Sequence, residues 1–170
     1  TSVSFGVRPS PRVQFEVEPS WSRNQDGAQY VATTSVLPYA PTFGSRYLFA
    51  ELEQRSISME TRVNVTFTPT LTLQLFMQPL LSSGDFVTYR QLQESKSYSF
   101  EDFRAGAYGL LGDGGVSCSG GTICRDPETG RQHVDLDGDG RGDYSFSDRD
   151  FNVRSLRGNA VLRWEYRPGS

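Results

Sequence analysis

The sequence predicts an all-β fold, an antiparallel meander of long strands that forms either a sandwich or a partial, open barrel. The main observation is an alternation of apolar and polar side chains, with a period of two, between residues 63 and 78. Such a period is typical of a strand and excludes a helix. The second observation is that clusters of Pro, Gly, Asn and Asp separate the alternating runs, as they do in all-β proteins.

The apolar members of the central run are predicted to share one buried face, because alternate side chains of a strand project to the same side. They are Val63, Val65, Phe67, Leu71, Leu73, Leu75 and Met77. Pro69 interrupts this run, and it has no backbone N–H to give to a neighbouring strand. Thr68-Pro69-Thr70 is therefore predicted to be a tight turn between two strands.

The remaining strands are predicted from the same alternation, most clearly at 12–18. Segments at 19–27, 38–45 and 82–85 are rich in Pro, Gly and small polar residues and are predicted to be turns or loops. In chain order, the predicted strands are 12–18, 28–36, 46–53, 57–67, 71–79 and 156–166.

Length and charge limit the domain organisation and the classes of partner. The chain has 170 residues, enough for a hydrophobic core, and a single β domain over 1–170 is predicted. It begins at Thr1 without a leader-like segment, so a processed chain or a fragment of a longer one is expected. The net charge is −3 and the basic residues are scattered, which argues against nucleic acid as a partner. No apolar stretch reaches the length of a transmembrane helix.

The two cysteines lie close together in the sequence CSGGTIC, within a long Gly-rich segment at 112–131 that is predicted to be a loop. Two cysteines are too few for a zinc site. A local disulfide between Cys118 and Cys124 is favoured, and two free thiols are the alternative. A disulfide would indicate an oxidising compartment, which means the periplasm or the cell exterior.

An acidic loop at 135–150 begins with DLDGDGRGD. The spacing of its first residues matches positions 1, 3, 5, 7 and 9 of a calcium loop of EF-hand type, and calcium prefers six to eight oxygen ligands. The predicted ligands are Asp135, Asp137, Asp139, the backbone carbonyl of Arg141, and Asp143.

Position 12 of this loop differs from an EF-hand, because Phe146 stands where an EF-hand has Glu. Asp148 and Asp150 are further candidates for the last oxygen ligands. The loop is predicted to bind Ca²⁺ in a structural role, and a solvated acidic turn is the alternative.

No arrangement of residues predicts catalysis. The single histidine, His133, is interpreted as an ordinary loop residue. Nucleophile, metalloprotease, phosphate-binding and dinucleotide-binding motifs do not occur in the sequence. The chain is therefore predicted not to be an enzyme.

Three stretches together carry a family resemblance: RYLFAELEQRSISMETRVNVTFTPTLTLQLFMQPLLSSGDF at 46–86, DLDGDGRGDYSFSDRDFNVRSLRGN at 135–159, and AVLRWEYRPGS at 160–170. They resemble the C-terminal region of the DUF5916 family of bacterial envelope proteins. Members often carry a family-9-like carbohydrate-binding domain, followed by a β-rich region expected to form an outer-membrane barrel. The chain lacks that first domain and stops where members continue into another strand, which implies a partial barrel.

The expected function is that of a non-catalytic structural or accessory β-module of a bacterial cell-envelope assembly, stabilised by the calcium loop. The alternative is a part of an outer-membrane β-barrel linked to carbohydrate binding or passage. Expected partners are other envelope or membrane proteins in a larger complex, together with outer-membrane lipid. The expected location is the periplasm, the outer membrane or the cell surface of a bacterium.

Overall fold

The computed structural model describes residues 1–166 and shows an all-β protein, as predicted. Its helical content within those residues is a single 3-10 turn at Ala40–Thr42. No helix in the described part of the chain is long and apolar enough to cross a bilayer. The strands are β1 (Phe5–Ser10), β2 (Val13–Thr34), β3 (Arg46–Thr68), β4 (Leu71–Leu92), β5 (Phe100–Asp102), β6 (Ala107–Leu110), β7 (Val116–Ser119), β8 (Ile123–Arg125), β9 (Arg131–Val134), β10 (Tyr144–Ser147) and β11 (Phe151–Trp164).

The strands form three sheets. The largest has the order β1-β2-β3-β4-β11, with β5 paired to β4. A three-stranded sheet has the order β10-β9-β8, and β6 pairs with β7. Neighbours in the largest sheet are consecutive in the chain except for β11, so the predicted meander is confirmed.

Three strands are much longer than predicted: β2, β3 and β4 have 22, 23 and 22 residues. The predicted turns at 19–27 and 82–85 are wrong, and the predicted strands 46–53 and 57–67 are one strand. The physical reason is that small polar residues in these segments bond across strands instead of turning the chain. Ser20 Oγ lies 2.7 Å from Ser58 Oγ, and Ser82 Oγ lies 2.8 Å from Ser56 Oγ.

Other local predictions have mixed outcomes. The turn between β3 and β4 is confirmed, since the chain reverses at Pro69 and Thr70. The loop predicted at 38–45 is confirmed. It contains the 3-10 turn, and β3 begins directly after it, at Arg46. The segment 112–131 is not simply a loop, because β7 and β8 lie within it and pair with β6 and β9. The last strand begins at Phe151, earlier than predicted, and residues 167–170 lie outside the described part.

The pairing of β11 with β4 is fixed by a close contact between Gly84 and Phe151, which stand opposite each other. A Cβ on Gly84 would lie 2.3 Å from the Phe151 ring, so the ring occupies the space that any other residue would fill. This arrangement, an aromatic ring over a cross-strand glycine, holds the register of the two strands.

The chain divides into two compact units. Unit 1 comprises Thr1–Asn24, Gln54–Gly84 and Phe151–Ser170, and unit 2 comprises Gln25–Glu53 and Asp85–Asp150. The apolar core belongs to unit 2, around Leu48, Ala50, Tyr89, Val134 and Phe146. No apolar side chain in the described residues of unit 1 is buried.

Candidate functional site

The candidate site begins with the arrangement of side chains in the sheet of unit 1. In the pairing of β4 with β11, Leu73 stands opposite Leu162 and Leu71 opposite Trp164. Residues directly opposite each other in an antiparallel pair project to the same face. The apolar residues of both strands therefore lie on one side of the sheet.

Side-chain contacts extend this face to β3. Ser56 bonds to Ser82, and the Arg62 guanidinium lies 5.8 Å from the centre of the Phe76 ring. Within unit 1, even-numbered residues of β3 and β4 thus share one side, and odd-numbered residues share the other. The prediction that Val63 to Phe67 lie on the same face as Leu71 to Met77 is supported.

The same parity extends to β2 and β1. Ser20 bonds to Ser58, and the backbone N–H of Thr66 donates to the carbonyl of Arg12 over 2.8 Å. In the next pair, Phe5 stands opposite Val17 and Val7 opposite Phe15. The odd-numbered apolar residues of β1, β2, β3 and β4 and the even-numbered ones of β11 therefore form one surface, which we term the apolar face. Its members are Phe5, Val7, Val13, Phe15, Val17, Trp21, Ile57, Met59, Val63, Val65, Phe67, Leu71, Leu73, Leu75, Met77, Leu81, Leu156, Ala160, Leu162 and Trp164.

The opposite side of the unit 1 sheet is mostly hydrophilic, and we term it the polar face. Its polar members include Glu16, Ser20, Ser56, Ser58, Arg62, Asn64, Thr66, Thr72, Gln74, Gln78, Ser82, Arg157, Asn159 and Arg163. Five apolar exceptions on it are Phe76, Leu80, Phe151, Val153 and Val161.

The prediction that the central apolar residues are buried is wrong. Of the seven predicted residues, Phe67 and Met77 are exposed and the other five are half-buried. On β11, Leu156, Leu162 and Trp164 are 72%, 65% and 69% exposed. The reason is that, among the described residues, no second layer of unit 1 covers the apolar face. A soluble monomer rarely exposes an apolar patch of more than a few hundred Å².

The apolar face has a defined width along the strands. It extends from Val13 to Trp21 in β2, from Ile57 to Phe67 in β3, from Leu71 to Leu81 in β4 and from Leu156 to Trp164 in β11. These runs of nine to eleven residues match the length of a strand that crosses a bilayer. At about 3.3 Å per residue and a tilt of about 45°, eleven residues span roughly 25 Å.

Aromatic residues mark both ends of this band. Trp164 and Phe67 lie at the end near the Pro69 turn, and Trp21 lies at the other. Beyond Trp21 the same face carries Arg55 and Arg154. Aromatic girdles followed by charged residues are the pattern found at the two interfaces of a membrane-embedded sheet.

Unit 2 holds the acidic loop. Carboxylate oxygens of Asp135, Asp137 and Asp143 lie within 4.8 Å of one another, so the structure brings three of the predicted ligands together. Asp139 is not part of this group; its Oδ1 accepts from the backbone N–H of Arg141 over 2.7 Å. The Arg141 side chain bonds to Asp113 over 2.6 Å.

The loop backbone orients these carboxylates. Asp135 is 3% exposed and accepts from the N–H groups of Gly138 and Gly140, over 2.6 and 2.8 Å. Both glycines have positive φ, at 84° and 87°, which favours glycine at these positions. Asp143 accepts from the N–H of Leu136 over 2.8 Å.

The electrostatics of the group are unfavourable without a cation. Burial raises the pKa of Asp143, and the charges of Asp137, Asp135 and Asp139 raise it further, while the N–H of Leu136 acts to lower it. Negative charges therefore repel one another here. A bound cation would relieve that repulsion.

The two further candidate ligands are engaged elsewhere. Asp148 forms an ion pair with Arg125, at 3.0 Å, and Asp150 accepts from the N–H of Phe86 over 2.7 Å. Phe146, at position 12 of the loop pattern, packs in the core at 5.3 Å from the Tyr89 ring. The structure thus does not bring either carboxylate to the group formed by Asp135, Asp137 and Asp143.

The predicted disulfide is present between Cys118 on β7 and Cys124 on β8, with the two Cα atoms 5.2 Å apart. It links the two-stranded sheet to the three-stranded sheet. Gly121 lies between the cysteines, and a Cβ there would be 2.4 Å from the backbone of Ala105. The disulfide indicates a location outside the cytoplasm.

His133 lies in β9 rather than in a loop, with its ring 5.9 Å from the Tyr108 ring. Burial lowers the pKa of His133, although Asp126 acts in the opposite direction. No serine or cysteine nucleophile in the described residues is hydrogen-bonded to its imidazole, and the two cysteines are bonded to each other.

No family model matches the sequence, and no curated protein or solved structure matches it either. The function is therefore argued from the surfaces and sites described above.

Proposed function

We propose that this chain is a non-catalytic β-sheet segment of an outer-membrane β-barrel protein of a bacterial envelope, with the apolar face of unit 1 in contact with lipid. The observation that carries the proposal is the exposed apolar band, nine to eleven residues wide in four neighbouring strands. A bilayer is the solvent in which such a band is stable, because every strand crosses the same hydrocarbon thickness.

The main competing function is that of a water-soluble accessory module whose apolar face is covered by a partner protein. A protein interface has an apolar centre and a polar rim. The band instead keeps a similar width from β2 to β11, and aromatic residues lie at both of its ends. This geometry supports lipid as the covering layer.

The edges of the sheet support a larger assembly. Within the described residues, β1 and β11 each have a strand neighbour on only one side. Open edges do not persist in a hydrocarbon environment, because their backbone groups lack hydrogen-bond partners there. Further strands, from the same polypeptide or from another envelope protein, would complete the wall.

Two other observations support an envelope location. The disulfide requires an oxidising compartment, and the periplasmic side and the cell surface both provide one. The resemblance to the DUF5916 family supports the same location, and it alone supports a link to carbohydrate.

The acidic loop has a structural role in this proposal. Asp135, Asp137 and Asp143 would bind Ca²⁺ directly, and Asp139 and the Arg141 carbonyl would contribute through water or after a small rearrangement. The three assembled carboxylates and the raised pKa of Asp143 support a cation at this position. Because the last ligand of an EF-hand is missing, the affinity would be weak, with a Kd of about 10⁻⁴–10⁻³ M.

The test is whether the chain floats with lipid vesicles on a density gradient after refolding, and whether this depends on the apolar face. Leu73→Asp places a charge on that face and should abolish flotation. Thr72→Asp, its neighbour on the polar face, is the matched control and should float like the unmodified chain. A folded chain that stays monodisperse in water without lipid or detergent would refute the proposal.

A further inference from the structure

The apolar face ends in a cleft that combines a basic and an apolar part. The cleft has a volume of about 430 Å³. Trp21, Ile57 and Leu81 line its apolar side, and Arg55 and Arg154 line its basic side. All five residues belong to unit 1.

The strand register determines which way the basic side projects. Arg154 stands opposite Leu81, and Asn152 stands opposite Ser83, so these residues project from the apolar face. Arg55 precedes Ile57 by two positions in β3 and lies on the same face. In β3 and β11, the apolar face of unit 1 therefore changes from an apolar to a basic side chain within two residues, from Ile57 to Arg55 and from Leu156 to Arg154.

The chemistry of the cleft selects for an anion. Its lining contains two arginines and no Asp or Glu. Arg154 makes no ion pair with a carboxylate in the described part of the chain. A guanidinium presents N–H donors in a fork that fits phosphate, and Ser83 and Asn152 add neutral donors beside it.

The position of the cleft selects the source of the anion. Trp21 lies at the edge of the apolar band, the depth at which indole rings contact lipid headgroups. The adjacent Ile57 and Leu81 side chains are exposed. A ligand with a phosphate and an acyl chain would contact both parts of the cleft, whereas free phosphate would leave the apolar part uncovered.

We propose that this cleft binds the phosphate-bearing headgroup of an anionic membrane lipid. Arg55 and Arg154 hold the phosphate, Ser83 and Asn152 bond to its remaining oxygens, and the first acyl carbons lie against Trp21, Ile57 and Leu81. The inference rests on the proposed membrane location, and it adds a lipid-selective site at one interface.

Trp21 serves as the reporter for the test, because the chain has only one other tryptophan, Trp164, and Trp164→Phe removes it. The whole chain is reconstituted in two kinds of phosphatidylcholine vesicle. One contains a small mole fraction of phosphatidylglycerol with brominated acyl chains, and the other contains the same mole fraction of phosphatidylcholine with brominated acyl chains. Brominated chains quench tryptophan fluorescence on contact. We expect stronger quenching of Trp21 by brominated phosphatidylglycerol, with a preference of roughly fivefold for each arginine.

The variants identify the residues responsible. Arg154→Gln should reduce the preference for phosphatidylglycerol. The double variant Arg55→Gln/Arg154→Gln should remove that preference, while quenching by brominated phosphatidylcholine remains. Arg157→Gln is the matched control, since Arg157 stands opposite Gln78 on the polar face, and it should keep the preference.

The outcomes separate the two proposals. Equal quenching of Trp21 by both brominated lipids overturns the headgroup site and leaves the membrane location intact. Absence of quenching by either lipid refutes the membrane location itself, and the headgroup site with it.

Discussion

The proposed contact of the apolar face with lipid predicts opposite outcomes for two neighbouring substitutions in β11, Ala160→Arg and Asn159→Arg. Both residues are exposed, and they project to opposite faces of the sheet, with Ala160 opposite Leu75 and Asn159 opposite Phe76. Any difference between the variants therefore reports what covers each face, because the two positions are adjacent in one strand and the introduced side chain is the same.

The loss of stability expected for Ala160→Arg follows from the position of Ala160 in the band. It lies midway between Leu156 and Trp164, four residues from each end. At about 3.3 Å per residue and a tilt of about 45°, it is roughly 9 Å from either interface. A guanidinium at that depth only partly reaches water, and arginine at a midplane lipid-facing site costs about 2–4 kcal/mol. The folding equilibrium should shift by roughly 30- to 700-fold.

Asn159→Arg should change stability by less than about 0.5 kcal/mol, because an exposed polar position tolerates the longer polar side chain. The assay is reversible urea unfolding of the chain in vesicles, followed by tryptophan fluorescence. If Ala160→Arg unfolds at the same urea concentration as the unmodified chain, the apolar face does not contact hydrocarbon. A large and equal loss of stability in both variants would also contradict the reasoning, since it would indicate that both faces are covered alike.

Three further predictions concern unit 2. Millimolar Ca²⁺ should raise the melting temperature of the unmodified chain but not that of Asp137→Ala, and an unchanged melting temperature on addition of EDTA would show that the loop is only an acidic turn. The raised pKa of Asp143 means that the folded protein binds its proton more tightly than the unfolded one. Without metal, stability should therefore fall as the pH rises through that pKa, and Asp143→Asn should stabilise the metal-free protein at neutral pH while abolishing the effect of Ca²⁺. Alkylation without reductant should label neither Cys118 nor Cys124, and reduction should lower the free energy of unfolding of unit 2 by about 2 kcal/mol, as measured by denaturant titration.

The sequence predicts the faces of the long strands, because alternation is a local property that survives in any β-sheet, but it misses the short strands β1 and β5 to β10. It also predicts the turn at Pro69 and the pairing of Cys118 with Cys124. The breaks predicted at 19–27 and 82–85 fail for a physical reason. Serine and asparagine favour solvent-exposed turns, yet they also occur on the polar face of a long strand.

Two features of the candidate sites depend on more than local sequence. An apolar strand face has the same pattern whether protein or lipid covers it, so the sequence alone could not show what covers the face that carries Leu73. The acidic spacing predicted four carboxylate ligands, but Asp139 bonds to the backbone of Arg141 instead. The Arg141 side chain in turn bonds to Asp113, a partner distant in sequence.

Under the proposed function, the distribution of buried apolar residues means that one polypeptide folds in two different solvents. Unit 2 contains its own core, including Val31, Leu48 and Val134, and can condense in water. Unit 1 has no buried apolar side chain in its described residues, so under the proposed function the burial of its apolar face would come from contact with the bilayer. Since β2, β3 and β4 supply residues to both units, condensation of unit 2 would already hold these three strands side by side. Insertion would then begin from aligned strands, with much of the loop-closure entropy already lost before the chain meets the membrane.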